Sequence, residues 1–115
     1  MNLETLQEYC LKKNGVTEGF PFDEETLVFK VAEKMFCLVN LTPPWSINLK
    51  CNPEKAIELR EEYEEIIPGF HMNKKHWNTD DLHGTLKNLL IEELIDDSYS
   101  LVLAGLTKKV RESLK

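Results

Sequence analysis

The chain has 115 residues, 42% of them hydrophobic and 30% charged, with a net charge of −6. That length fits one domain, residues 1–115, with a hydrophobic core of its own, and apolar residues spread along the whole chain argue against disorder. The negative balance argues against a surface that attracts nucleic acid or anionic lipid everywhere, while leaving room for a local basic patch.

Leu3, Leu6, Cys10 and Leu11 share one face at helical spacing. Asn14-Gly15 ends that helix, with glycine as its left-handed cap. Val16 to Phe22 is short and extended, broken by Pro21. Thr26 to Val31 and Lys34 to Leu41 are rich in β-branched and aromatic residues, and Ala32-Glu33 is expected to turn tightly between them as a hairpin. After Pro43-Pro44, Trp45 to Cys51 alternates, with Trp45, Ile47, Leu49 and Cys51 on one face of a half-buried strand.

Asn52-Pro53-Glu54 is a helix start: Asn caps, Pro suits the first helical position and Glu complements the dipole. The spacing carries this helix to about Ile66, with Ala56, Leu59, Tyr63 and Ile66 inward, until Pro68-Gly69 stops it. Phe70 to Met72 and His76 to Asn78 read as two short strands joined through Asn73-Lys74-Lys75. Thr85 can cap a long helix over 86–104, Gly105 breaks it, and Thr107 can cap a last short helix. Consecutive strands with short turns imply an antiparallel sheet with helices packed mainly on one side, an α+β fold.

Cys10, Cys37 and Cys51 are odd in number and show no Cys-x-x-Cys spacing, as expected for buried thiols in a reducing compartment. Met1-Asn2-Leu3-Glu4 lacks the blocks of a signal peptide. The longest apolar stretch, Leu101 to Leu106, is far short of a ~20-residue membrane span. A cytoplasmic monomer that does not enter a membrane is expected.

Chemistry is sparse. His71, His76 and His83, with Asp80 and Asp81 nearby, lack the spacing of a zinc site, so no metal and no cofactor are expected. Cys51, beside Lys50 and ahead of a helix N-terminus, is the one thiol whose setting could lower its pKa, but its alternation fits the core better. The carboxylates of 54–65 and 92–97 repeat with the polar side of amphipathic helices. No Gly-x-Gly phosphate loop is present. The segment His71 to Thr79 is different: it holds two histidines, Lys74, Lys75, Trp77, Asn73 and Asn78 without an acid. Lysines at a hairpin tip can neutralise phosphates and an exposed Trp can stack on a base; equally, such lysines guard an edge strand and such a Trp anchors a hairpin to the core.

Several blocks of the chain resemble the MmcQ/YjbR family of small bacterial proteins: Thr17 to Phe22, Val28 to Val31, Lys34-Met35-Phe36, Leu49-Lys50-Cys51, Pro53 to Leu59, Pro68 to Thr79, Ser98-Tyr99 and Leu101-Val102. Glu33 departs from that pattern, standing where glycine is usual before Lys-Met-Phe; Asn14 and Thr107 stand where proline is common. The resemblance implies an α+β fold and a double-wing, DNA-binding role. The positions that would carry it are Lys34, Lys50, His71, Asn73, Lys74, Lys75, His76 and Trp77. A non-enzymatic module that binds double-stranded DNA is thus the leading expectation. A protein- or peptide-binding adaptor, or a small-ligand domain, is the alternative, since a mostly acidic surface repels DNA outside the basic segment.

Overall fold

The computed structural model describes residues 1–43, 45–69, 72–84 and 86–114. In chain order they form α1 (Leu3–Leu11), β1 (Val16–Gly19), β2 (Thr26–Val31), β3 (Lys34–Asn40), β4 (Ser46–Lys50), α2 (Pro53–Glu62), β5 (Ile66–Pro68), β6 (Trp77–Asp81), α3 (Asn88–Ala104) and α4 (Lys108–Ser113). Among the described residues the strands make one six-stranded sheet, ordered β1-β2-β3-β4-β6-β5. Every neighbouring pair is antiparallel.

Strand alternation sorts the sheet into two faces. Leu27, Phe29, Val31, Cys37, Val39, Ile47, Leu49 and Ile66 point inward and join Leu6, Cys10, Ala56, Leu59, Ile91, Leu94 and Ile95 of the helices in one core cluster. The helices therefore cover one face. Val28 and Leu38 are just as buried yet lie outside that cluster, on the face without helices. They stand in register with Asn48 and Thr79 there.

The turn joining β2 to β3 is tight, with Ala32 and Glu33 both at positive φ, 48° and 67°, the backbone that two-residue hairpins require. A second irregularity lies just beyond it. Phe29 pairs with Cys37 but Lys30 pairs with Met35, so Phe36 is an extra residue, a β-bulge. The groups left over by the bulge are taken up by α3: the Ser98 hydroxyl donates to the Phe36 carbonyl at 2.5 Å and accepts from the Lys50 N–H at 2.9 Å. Ser98 is fully buried.

Caps behave as their residue types dictate. Asn52 Oδ1 accepts from the Glu54 and Lys55 amides, and Thr107 Oγ1 from the Val110 amide. Gly15 takes φ 73° at the end of α1, with Leu114 lying against it.

Three expectations are corrected. The helix begun by Pro53 ends at Glu62, because Tyr63 turns extended at φ −122°, ψ 120°. Ile66 is a strand residue, in β5, which ends at Pro68 and pairs with β6; the strand expected over Phe70 to Met72 falls on Phe70 and His71, which lie outside the described residues. Helix α3 starts at Asn88 from Lys87, which makes no side-chain cap; Thr85 also lies outside the described residues. No helix of the described residues is long and apolar enough to cross a membrane.

Candidate nucleic-acid interface

The described residues of 69–78 are held largely by their own polar groups. Asn73 Oδ1 accepts from the amides of Lys75 (2.9 Å) and His76 (3.3 Å), and its carbonyl accepts from the Trp77 amide at 3.0 Å. Lys74 Nζ donates to the Gly69 carbonyl at 3.0 Å. The His76 carbonyl accepts from the Cys51 amide at 2.7 Å, tying the loop to the end of β4. Gly69 donates to the Trp77 carbonyl at 2.8 Å, and a Cβ at Gly69 would come within 2.8 Å of Trp77 Cβ, so only glycine permits this approach. Asn73 and Lys74 thus hold the loop in shape, while Lys75 stays exposed at its tip.

Arg60, the basic residue in the last turn of α2, is a second brace. Its Nε donates to Asn78 Oδ1 at 2.7 Å and its guanidinium also donates to the Lys74 carbonyl. Asn78 in turn donates to the Ala56 carbonyl at 3.3 Å. The signal for this role is Arg60 in the last turn of a helix that precedes a basic loop, where it can reach backbone carbonyls.

The other expected residues are divided by the sheet. Lys50 and Trp77 are direct partners on β4 and β6 and point to the helix-free face, since Leu49 and Asn78 point inward. Trp77 is half-buried and belongs to no core cluster. Lys34 goes the other way. Beyond the Phe36 bulge it pairs with Val31, an inward residue, so it leaves the sheet on the helix side. A cation absent from the sequence expectation takes its place. Lys30 lies outward between inward Phe29 and Val31, paired with Met35 and Thr17. Lys30 and Lys50 sit two strands apart, roughly 10 Å at ordinary strand spacing.

Thr17, Lys30, Met35, Lys50 and Trp77 therefore form an outward row at one end of the strands. The acidic side chains of α2 and α3 stand on the opposite side of the sheet. There Lys13 pairs with Asp96 and Lys55 with Asp97, each at 2.5 Å. Tyr9 donates to Asp96 at 2.7 Å, and burial together with that bond raises its pKa. At the far end of the outward face the acids are Asp81, whose carboxylate accepts from the His83 amide, and the 23–25 loop, where Asp23 accepts from the Glu25 and Thr26 amides.

Nucleophilic chemistry finds no support in the thiols. All three are buried. The contact with Cys10 and burial hold the Cys37 thiol well above its ordinary pKa. Burial also raises Cys51, in keeping with the core position its alternation suggests; the favourable charge of Lys55 is outweighed. Among the described residues no three His, Cys, Asp or Glu side chains gather as a metal site. Asp80 points into the core, 1% exposed, and its Oδ1 has no hydrogen-bond partner among the described residues. Burial pushes its carboxyl up to about 7.

The molecule is thus a small α+β domain, one face of its antiparallel sheet clothed by acidic helices and the other carrying a basic row. Residues 11–101 match the YjbR family model. The chain belongs to the YjbR family. It is 36% identical to the uncharacterised protein YbdF of Escherichia coli O157:H7, over 97% of this chain and 93% of that one. It is 31% identical to the uncharacterised protein YjbR of Escherichia coli K12, over 99% and 98%. The crystal structure of Deinococcus radiodurans DR2400, a DUF419 domain, superposes with a TM-score of 0.92 at 42% identity, covering 98% of this chain and 87% of that one. A crystal structure from Pseudomonas syringae gives a TM-score of 0.77 at 30% identity, covering 88% and 98%.

Proposed function

We propose that this chain is a non-enzymatic DNA-binding module whose backbone contacts come from the helix-free face of the sheet. The observation that carries the reading is the segregation of charge: Lys30 and Lys50 share the outward row with Trp77, Lys75 stands exposed at the neighbouring loop tip, and the acidic helices lie behind the sheet. A polyanion approaching the outward face meets cations first and is repelled from the helix side. Lysines supply phosphate contacts without base readout, so binding on these residues is non-specific and salt-dependent. Lys34, on the other side, is not assigned a role, and Asn73 and Lys74 act by shaping the loop.

Titration of a fluorescently labelled DNA at low salt tests this. Affinity should fall steeply as salt rises, and Lys30→Ala with Lys50→Ala should reduce the slope of log K against log salt by about 2. Absence of binding to both duplex and single strand at roughly tens of micromolar in low salt ends the proposal. A second reading, a protein-binding adaptor, is favoured by Ile57 at 53% and Leu89 at 80% exposure on the acidic helices; recovery of a stoichiometric protein partner that Leu89→Glu abolishes would decide for it.

A further inference from the structure

The motif Thr17 to Phe22 has no part in the contacts assigned so far, yet its chain does something unusual. After β1 it leaves Phe20 half exposed, at 50%, and Phe22 at 64%. Phenylalanines this exposed gain less from the fold than buried ones do. Phe20 and Pro21 border a cavity of about 300 Å³, whose other walls include Val28, Lys30 and Glu33. Val28 and Lys30 are outward residues, so the cavity opens on the helix-free face, at the end of the basic row. Glu33 reaches it from a turn in which it holds φ 67°, a conformation that disfavours any residue with a Cβ and that glycine would adopt freely.

The lining is chemically mixed in a specific way. One wall is an aromatic ring and a proline, suited to the face of a planar ring. Opposite signs meet at the mouth, with Lys30 a cation and Glu33 an acceptor. Glu18, also in the lining, pairs with inward Phe29 and accepts from Gln7 of α1 at 3.2 Å, so its carboxylate faces the helix side and Glu33 is the acid of the cavity. A phosphate alone would be repelled by the Glu33 carboxylate. A planar heterocycle with an amino group suits this lining: its face stacks on the phenylalanine, its N–H donates to Glu33, and the attached phosphate reaches Lys30.

We infer that the Phe20–Glu33 cavity takes an unpaired nucleobase bearing an exocyclic amine, and that the partner of this face is single-stranded nucleic acid. The inference rests on the proposed DNA-binding reading and specifies the form of nucleic acid it serves. The sheet row tracks the backbone, and the loop supplies the stacking surface that a duplex, with its bases already stacked, cannot use.

The test compares labelled oligo(dC) with oligo(dT), pyrimidines of which cytosine bears the exocyclic amine, alongside a duplex of equal length. The wild type should bind oligo(dC) several-fold more tightly than oligo(dT) and both more tightly than duplex. Phe20→Ala with Phe22→Ala, two exposed positions, should weaken single-strand binding about tenfold while leaving duplex binding and the melting temperature unchanged. Glu33→Gln should erase the preference for oligo(dC). If oligo(dC) and oligo(dT) bind alike, or the double phenylalanine variant binds single strands as the wild type does, this cavity is not the site, although the lysine row still stands. If the wild type binds no nucleic acid, the DNA-binding reading fails and takes this inference with it.

Discussion

The loop at 69–76 and the outward row of the sheet are built from similar residues and use them in opposite ways. In the loop, Asn73, Lys74 and the His76 carbonyl are engaged by neighbouring chain groups, and Arg60 reinforces them from α2. In the row, Lys30 and Lys50 project from paired strands whose backbones already have partners, the Lys50 amide in Ser98, so their ammonium groups are not needed to hold the chain. Polar residues clustered in sequence attract attention, but a loop without strand pairing must satisfy its backbone somehow. Its Asn and Lys are recruited for that. Cations spaced along strands look unremarkable and remain available to a ligand.

Breaking the brace should show the contrast most strongly. Asn78→Ala removes the acceptor of Arg60 and the donor to Ala56 inside a buried setting, and should cost about 3 kcal/mol in chemical denaturation; a cost under about 0.5 kcal/mol would mean that the loop does not depend on these bonds. Asp80, two residues on, is the converse case. Its pKa is raised to about 7 from the ordinary 3.8, so the folded state holds a proton that the unfolded state has lost between those values. Its contribution is therefore most favourable below about pH 4 and is lost as pH rises through about 7. Asp80→Asn should raise stability by about 4 kcal/mol near pH 9 and by little near pH 4. Equal effects at both pH values would show that the carboxyl finds a partner. The smallest effect belongs to Lys75→Ala, within about 0.5 kcal/mol of the wild type in stability, but with a measurable loss of DNA affinity at low salt. A destabilisation beyond about 1 kcal/mol would place Lys75 with the braces instead.

Much of this was legible in the residues themselves. The β-branched and aromatic content of β2, the alternation of β4 and the Asn52-Pro53 start place those elements to within a residue or two. The end of α2 is not legible because Ile66 continues the helical spacing of Ala56, Leu59 and Tyr63, and no breaker comes before Pro68; pairing with β6 draws Ile66 into the sheet. Lys34 is subtler. Plain alternation from Leu38 through Phe36 would place it on the helix-free face. The Phe36 bulge shifts the count by one and sends it to the other side. Lys30 could have been found by applying alternation within β2, where it is the charged member of the outward set. Asp80 hides because an acid beside Asp81, ahead of a loop, reads as solvated; that it points into the core follows from the inward position of Asn78.

The seat of Ser98 between β3 and β4 has a consequence for the order in which the chain can assemble. Strands β1 to β4 follow one another through turns and can meet early as a meander, since short loops close at little entropic cost. Yet the Phe36 carbonyl and the Lys50 amide, next to one another at its bulged end, receive their partner from a helix 62 and 48 residues further on. Until α3 docks, those two groups need water, and the end of the sheet that bears them stays wet. The meander should therefore fold provisionally, exchanging its amide hydrogens near Lys50 with solvent, and become locked when α3 arrives.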